Sequence, residues 1–385
     1  MNNFSFANPV KIIFGKETIK EISKEIPAAA KVLVIYGGGS IKRNGVYNQV
    51  TDALKEHTFF EFSGIEANPH YETCMQAVAL IKEKKCDFLL AVGGGSVVDA
   101  TKFIAAAACF DGPDPWTMVA GKGKIEKAMP FGVVLTLSAT GSEMNCGAVI
   151  TKAETQDKLA FHSSLVYPKF SVLDPTTTFT LPPKQTSNGV IDTFVHVVEQ
   201  YVTYPVNAML QDMFAESILK VLVKEGPKAL KQPKDYDVRA NLMWASTWGL
   251  NEWIAQGVPQ DWATHMIGHE LTALYGLDHA QTLAIVLPGL LKVKKEQKGD
   301  KILQMGEQVF GINDNKPQAV LIENTIQAVE DFFEEMQVKT YLSDYGLGQE
   351  AVDAVANRIS ARGWMLGEHQ DISGEVVREI LKLRL

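Results

Sequence analysis

The sequence predicts two halves of different class: an α/β half built on a parallel sheet, residues 1–181, and an all-α half, residues 182–385. Three observations carry that prediction. Short apolar runs alternate with helix-period segments through the first half. Two of those runs, Lys31–Tyr36 and Asp87–Val92, are each followed at once by the same four residues, Gly-Gly-Gly-Ser. From Leu181-Pro182-Pro183 onward the strand-like runs stop, and helical patterns continue to Leu385.

The elements follow in chain order. Phe4–Phe14 is β-prone and partly alternating; a strand at this position commonly ends as a sheet edge, which invites pairing with a second copy, so a homodimer is expected. Glu17–Ile26 reads as a short amphipathic helix. Lys31–Tyr36 (KVLVIY) is a buried strand, followed by Gly37, Gly38, Gly39 and Ser40, a helix ending near His57 and a strand around Phe59–Phe62. Tyr71–Lys84 is helical, Asp87–Val92 is another apolar strand, and Gly93, Gly94, Gly95 and Ser96 precede the alanine-rich helix Val97–Cys109. This β-α-β-α-β-α order implies a parallel sheet covered on both faces, with ligands at the carboxyl ends of its strands. Phe131–Leu135, Gly147–Thr151, Ala160–His162 and Phe170–Leu173 read as further strands. Beyond residue 182, helical patterns cover Met209–Lys224, Asp237–Ala255, Gln318–Met336 and Glu375–Leu383.

Each Gly-Gly-Gly-Ser turn lets backbone approach a phosphate, and the helix after it offers unpaired N–H groups and a positive dipole end. Two such turns in one domain suit a dinucleotide, although the G-x-G-x-x-G fingerprint is absent. Residues 1–181 are therefore expected to be an α/β amino-terminal dinucleotide-binding domain with a parallel sheet. Asp99, one turn into the second helix, either accepts hydrogen bonds from a nicotinamide amide or ribose or favours the helix amino end; Lys102 is expected to pair locally. Hydroxyls crowd the end of the next strand at Thr136, Ser138, Thr140 and Ser142. They suit ribose and nicotinamide contacts.

The second half carries a different chemistry. Trp262–Ala280 holds three of the eight histidines, and Asp192 and His196 stand four apart in a helical pattern, as do His265 and His269. That spacing puts each pair on one helix face. Imidazoles mixed with one carboxylate suit a first-row divalent metal, Fe²⁺ or Zn²⁺, rather than a hard-oxygen site. The competing reading is a hydrogen-bonded helical core. Glu270 follows the second histidine instead of the first, so the H-E-x-x-H pattern of zinc proteases is not met and metal-dependent hydrolysis by that route is disfavoured.

Composition bounds the partners. With 46% hydrophobic and 21% charged residues, a chain of 385 residues buries a large core and divides into two domains. The net charge of −8 is spread out and no dense Lys/Arg run occurs, which argues against nucleic acid. No stretch nears the roughly 20 apolar residues a bilayer span needs, and the amino end has no basic region followed by a long apolar run. A cytoplasmic protein with no membrane partner is expected. Cys74, Cys86, Cys109 and Cys146 lack ligand spacing and are expected to be buried, reduced thiols.

GGGSVVDATK at Gly93–Lys102, TGSE at Thr140–Glu143, the Asp192/His196 pair and the H-x-x-x-H-x9-H run together resemble the iron-containing (group III) alcohol dehydrogenases, nearest their NADPH-dependent aldehyde reductase and butanol dehydrogenase branch. The resemblance covers essentially the whole chain. It implies a helical metal-binding and catalytic domain after residue 182, with the active site in the cleft between the two domains, and metal ligands Asp192, His196, His265 and His279. It sets His269 apart as a residue near substrate and nicotinamide, a candidate catalytic proton relay. It further implies NADP(H) as cofactor, with contacts at Gly38 to Ser40, Gly94 to Ser96, Asp99, Thr136, Asn145, Lys158 and Thr177, and a small aldehyde or alcohol as substrate. NAD-preferring members of the family carry an Asp just after the first strand, where this chain has Gly37 to Ser40; Lys42 or Arg43 could add charge for a 2′-phosphate, or point to solvent. A glycerol-dehydrogenase-like or dehydroquinate-synthase-like enzyme, acting on a polyol or phosphorylated substrate, and a non-enzymatic nucleotide-sensing module are the alternatives.

Overall fold

The structure is a computed structural model covering residues 1–385. Two compact units make up the chain: Ala7–Leu181 with Pro233–Met243, and Pro182–Gln232 with Trp244–Leu385 and Met1–Phe6. The main change of unit falls between Leu181 and Pro182, and two short segments cross over. Met1–Phe6 leaves the first unit because Asn2 N–H bonds Gly257 O at 2.9 Å and Phe6 packs edge-on against Trp253 at 5.3 Å.

The first unit is built on six parallel strands: β1 (Lys11–Phe14), β2 (Lys31–Tyr36), β3 (Thr58–Phe62), β4 (Phe88–Gly93), β5 (Phe131–Leu135) and β8 (Phe170–Leu173). Their spatial order is β1-β8-β5-β4-β2-β3. Every residue of β4 and β5 is buried, as strands covered on both faces require. Two further strands, β6 (Gly147–Lys152) and β7 (Asp157–His162), form a separate antiparallel pair. Leu89, Ala91, Phe131 and Val133 pack on one side of the sheet with Phe103 and Ile104 of the helix Gly95–Ala107. Val32, Val34, Phe88 and Leu90 pack on the other with Ile19, Val46 and Val50.

Four expected elements differ most. The strand expected over Phe4–Phe14 is only Lys11–Phe14. Pro9 lacks a ladder donor, and the Asn8 side chain takes the Val10 N–H at 3.2 Å and donates to Met144 O at 2.8 Å, so pairing begins beyond them. After the first glycine turn the helix is a single turn, Ser40–Arg43, broken at Gly45 with φ +83° before Val46–Ala53. The helix expected to end at Lys224 runs to Lys231 with Pro227 inside it, and the one expected to reach Ala255 ends at Gly249. All four cysteines are free thiols, Cys74 and Cys86 buried and the other two half-buried.

The second unit is helical. Ala263, Ile267 and Leu271 of the helix Ala263–Tyr275 meet Ile285 and Leu290 of His279–Val293, Val352 and Ile359 of Gln349–Ala361, and Ile380 of Gly374–Lys382. One buried ion pair ties this bundle's far end. Arg384, fully buried, donates from Nη1 to Glu330 Oε1 at 3.1 Å and from Nη2 to Oε2 at 2.9 Å, and its Nη2 also reaches Thr340 O at 2.9 Å. Lys292 Nζ adds a bond to Glu330 at 2.7 Å. Gly289 leaves the room: a Cβ there would stand 2.7 Å from Ile380 O and 3.1 Å from Arg384 Cδ. Removing one partner of a buried pair leaves the other charged and unmatched. Arg384→Met should therefore destabilise the helical unit by about 3 kcal/mol, read as a lower urea midpoint at unchanged slope. A loss well under 1 kcal/mol would mean that Lys292 alone satisfies Glu330.

Candidate functional site

The helix Pro183–Tyr201 begins with a proline in its first turn, and every residue from Val190 to Tyr201 is buried. Its polar residues Asp192, His196 and Glu199 therefore lie in the interior of the helical unit. The helix Ala263–Tyr275 places His265 and His269 one turn apart, both buried. It ends at Gly276, whose φ of +69° closes the last turn in the left-handed conformation. The next helix begins two residues later with a capping box: the Asp278 carboxylate accepts from the third-position backbone, and Gln281 accepts the Asp278 N–H at 3.0 Å. This tight reversal makes His279 the first helical residue and brings its ring within 5.2 Å of the His265 ring.

Three imidazoles face one carboxylate oxygen. Asp192 Oδ1 lies 3.6 Å from His196 Nε2, 3.8 Å from His265 Nε2 and 3.5 Å from His279 Nε2. These separations exceed the usual N–H···O range of about 2.7–3.2 Å. They approach the roughly 3.3–3.5 Å between neighbouring ligands that share a tetrahedral ion at about 2.0–2.2 Å. Ligand atoms of Asp192, His265 and His279 all lie within 4.8 Å of one another, and the His196 ring stacks on His265 at 4.5 Å. Buried His265 Nε2 has no hydrogen-bond partner, which an ion at this point would supply. The set fits a divalent metal. His269 borders the set, with its ring 6.2 Å from His265 and 5.2 Å from His279, and is not among the residues whose ligand atoms group with Asp192.

Glu199, absent from the sequence-derived set, orients the centre. One turn beyond His196, its carboxylate bonds His265 Nδ1 and accepts the Thr264 N–H at 2.6 Å and the His265 N–H at 3.3 Å. The Nδ1 proton held there leaves Nε2 as the lone pair facing Asp192. Burial favours a neutral His265, but the Glu199 and Asp192 carboxylates outweigh it and lift its pKa to about 9. A pocket that attracts a proton this strongly attracts a cation by the same field. The signal in the sequence was a carboxylate on the same face as His196, three residues on; nothing local linked it to His265.

The approach to the helix Ala263–Tyr275 is also fixed. Asp261 N–H bonds Glu199 O at 2.9 Å, and Asp261 Oδ1 accepts the Ala263 N–H at 2.7 Å. Buried Lys298 joins Asp261 at 2.7 Å, Glu368 at 2.6 Å and Val202 O at 2.9 Å. Burial and the neighbouring Asp261 push the Glu368 carboxyl up in spite of Lys298. Between Asp261 and the helix, Trp262 takes φ +61°, unusual for a bulky residue, and its ring edges onto His196 at 6.1 Å and His265 at 5.4 Å. Trp262 thus walls the cluster of imidazoles around Asp192.

In the α/β unit, the second glycine turn joins β4 to the helix Gly95–Ala107. Its glycines are needed for packing: a Cβ at Gly95 would lie 2.3 Å from Thr140 Oγ1, and one at Gly94 would lie 3.0 Å from Leu137 Cβ. Ser96 is half-buried one residue into the helix. Thr136, just past β5, donates its N–H to Gly93 O at 2.9 Å and is buried beside this turn. Asp99 accepts from Ser142 Oγ at 2.6 Å and from the Val149 N–H at 2.9 Å. Burial pushes its carboxyl up in spite of nearby Lys102 and these bonds. Lys102, fully buried, donates to Ser142 Oγ at 2.8 Å, Asn145 Oδ1 at 2.7 Å and Gly147 O at 2.7 Å. Thr177 Oγ1 lies 2.9 Å from Leu135 O and 2.8 Å from Asp174 O, and Lys158 lies on β7 opposite Thr151. The first turn, Gly37–Ser40, is different in kind. A Cβ at Gly38 or Gly39 would meet nothing within 4 Å, so this turn faces open space and fits a bulky ligand group.

Comparison with known proteins follows the same division. A family model described as iron-containing alcohol dehydrogenase matches residues 9–175, and one described as Fe-containing alcohol dehydrogenase family, C-terminal, matches residues 186–385. The chain is 56% identical over 383 residues to the NADPH-dependent aldehyde reductase YqhD of Escherichia coli K12, covering 99% of each chain. A crystal structure of that protein superposes with a TM-score of 0.97 at 54% identity, covering 100% of this chain and 99% of that one. The NADH-dependent butanol dehydrogenase A of Thermotoga maritima superposes with a TM-score of 0.94 at 39% identity, covering 100% of this chain and 99% of its own. This chain belongs to the iron-containing alcohol dehydrogenase family.

Proposed function

We propose that this protein is a metal-dependent NADP(H) alcohol dehydrogenase that reversibly reduces short-chain aldehydes such as butyraldehyde. The observation that carries the reading is the convergence of three imidazole nitrogens on Asp192 Oδ1. Asp192, His196, His265 and His279 hold one divalent cation, Fe²⁺ or Zn²⁺, and Glu199 keeps His265 in the ligating tautomer. When bound, the cation and the nicotinamide supply Lewis-acid stabilisation of negative charge on oxygen and the hydride. His269 passes the proton that the product alcohol needs, a role typically worth about 10²–10⁴-fold in rate. Gly37 to Ser40, Gly94 to Ser96, Asp99, Thr136, Asn145, Lys158 and Thr177 orient the dinucleotide. A 56% identical relative named for NADPH and aldehydes supports the cofactor and substrate class. Relatives about 40% identical are named for NADH, so the choice of cofactor rests on this chain's own residues.

The enzyme works in the cytoplasm as a homodimer on this reading. β1 has β8 as its one neighbour in the sheet, and its other edge supports pairing with a second copy. Light scattering should give twice the chain mass at micromolar concentration; a monomer rejects the pairing.

For the metal centre, His265→Ala and His279→Ala should each lower bound metal and turnover together, because each loses one of four ligands. Glu199→Gln should weaken metal binding by about 10- to 100-fold, measured by chelator competition. His269→Ala should keep its metal and lose rate. Full metal content in His265→Ala, or metal loss in His269→Ala as great as in His265→Ala, would overturn these assignments.

For the cofactor, an acid beside the ribose 2′-oxygen would repel a 2′-phosphate. Wild type should favour NADPH over NADH by at least roughly ten-fold in kcat/KM for butyraldehyde, the worth of one charge-assisted bond. Gly39→Asp should reverse or abolish the preference. Gly39 has φ +86°, so Gly39→Asn serves as the uncharged control for backbone strain. Equal values for the two cofactors in wild type would sink the idea.

A further inference from the structure

The end of β2 carries a side-chain cluster around Lys42, one of the two cations that the sequence offers for a 2′-phosphate and leaves undecided. Tyr36 is the last residue of β2 and leads directly into Gly37–Ser40. β3 lies beside β2 with Val34 opposite Glu61, so Glu61 and Tyr36 share one face of the sheet. Both carboxylate oxygens of Glu61 are bonded: Oε2 accepts from Tyr36 OH at 2.7 Å and from Lys42 Nζ at 3.2 Å, and Oε1 accepts from Tyr47 OH at 2.6 Å. The Lys42 ammonium also lies over the rings of Tyr47, at 4.6 Å, and Tyr36, at 5.2 Å. Its backbone is tied to the turn as well, Lys42 N–H bonding Gly39 O at 3.1 Å. Lys42 is thus a half-exposed cation held at one point by a carboxylate and two aromatic faces, next to the glycines that face open space.

Glu61 occupies a telling position. In dinucleotide-binding sheets an acid about 20 residues beyond the first glycine turn, at the end of the neighbouring strand, takes the ribose 2′-hydroxyl and selects NAD. Glu61 lies 61 − 37 = 24 residues beyond Gly37 and next to last in the strand beside β2. Burial would push its carboxyl up, but the bonds from Tyr47, Tyr36 and Lys42 outweigh that and hold it ionised below its ordinary range. Its charge is therefore covered by three donors. Arg43, the neighbouring cation, is exposed and has no such anchor.

We propose that Lys42, held by Glu61 between the rings of Tyr36 and Tyr47, is the residue that recognises the 2′-phosphate of NADP(H), and that the two tyrosines mask the acid that would otherwise select NAD. The proposal rests on the reading of this chain as an NADP(H) enzyme. A free surface lysine loses much rotamer freedom on gripping a phosphate. This one is already fixed, so its charge-assisted bond is gained with less ordering cost.

Calorimetric titration of the full chain with adenosine 2′,5′-bisphosphate and with 5′-AMP isolates the 2′-phosphate from hydride transfer. Wild type should bind the bisphosphate at least roughly ten-fold more tightly than AMP. Lys42→Ala should cut that ratio by about ten-fold through the bisphosphate alone, leaving AMP affinity and melting temperature unchanged, and Lys42→Arg should keep most of it. Tyr47→Phe, which uncovers one oxygen of Glu61, should lower the ratio by about three-fold. The bisphosphate constant in Lys42→Ala should also depend less steeply on salt. A ratio intact in Lys42→Ala, or equal loss for both ligands, overturns the proposal while leaving the NADP(H) reading standing. A wild type that does not distinguish the ligands overturns that reading and the proposal together.

Discussion

The helical unit is organised by one constraint: Asp192 Oδ1 faces three imidazole nitrogens at 3.5–3.8 Å. Burying a carboxylate with two rings, and a third half-buried beside them, is costly unless something positive sits among them. The surrounding polar residues make sense as answers to that cost. Glu199 fixes the tautomer of His265, Asp261 and Lys298 fix the start of the helix that carries it, and Glu270 on the same helix is met by Arg358 and by Arg362 at 3.4 Å. Each of these ties holds backbone within a turn or two of Asp192, His196 or His265.

The limits of legibility follow from range. β2, β5, β8 and the helix Tyr71–Lys84 end where the sequence reading puts them, because buried apolar runs, glycines and lysines mark those boundaries locally. The cluster around Asp192 depends on contacts between residues far apart in the chain. Helical spacing alone favours His269 as the partner of His265, and the family resemblance was needed to prefer His279. The structure gives the physical reason for that preference: Gly276 and the Asp278 capping box fold the next helix back, so a histidine 14 residues from His265 faces the same oxygen. Glu199 and His265, 66 apart, and Arg384 and Glu330, 54 apart, carry no local signature at all. Neither does the Lys298 triad, which joins three different segments.

The two Gly-Gly-Gly-Ser turns show how identical letters can serve different physics. In the second turn the glycines let Val97, Leu137 and Thr140 crowd the backbone, and a helix of 13 residues follows. Dipole and N–H groups are available there as the sequence reading supposed. The first turn leads into only four helical residues, too short to present much of a dipole. If an anion is held at that end, side chains must supply the charge, and the Lys42 cluster is built in a way that could do so. The two turns therefore differ in packing and in the length of the helix that follows, although their letters are the same.

Asp99 and Lys102 bear on how any variant of the nucleotide unit is to be read. Asp99 lies beside the second turn, and an ionised carboxylate has about four acceptor sites, two of which Ser142 and Val149 occupy. It can still serve a ligand. It is also a carboxylate close enough to the fully buried Lys102 to feel its charge, and Lys102 donates to Ser142 Oγ, Asn145 Oδ1 and Gly147 O. Removing Asp99 would strip the charge that compensates Lys102 and release Ser142 and the Val149 N–H at once. Loss of activity on that change would mix a disordered segment with a lost cofactor contact. Substitution at Ser96 or Thr136, which touch neither charge of this pair among the bonds described, separates the two effects. That physical distinction, between residues that meet a ligand and residues that hold the segment meeting it, decides which of the expected cofactor contacts a kinetic measurement can assign.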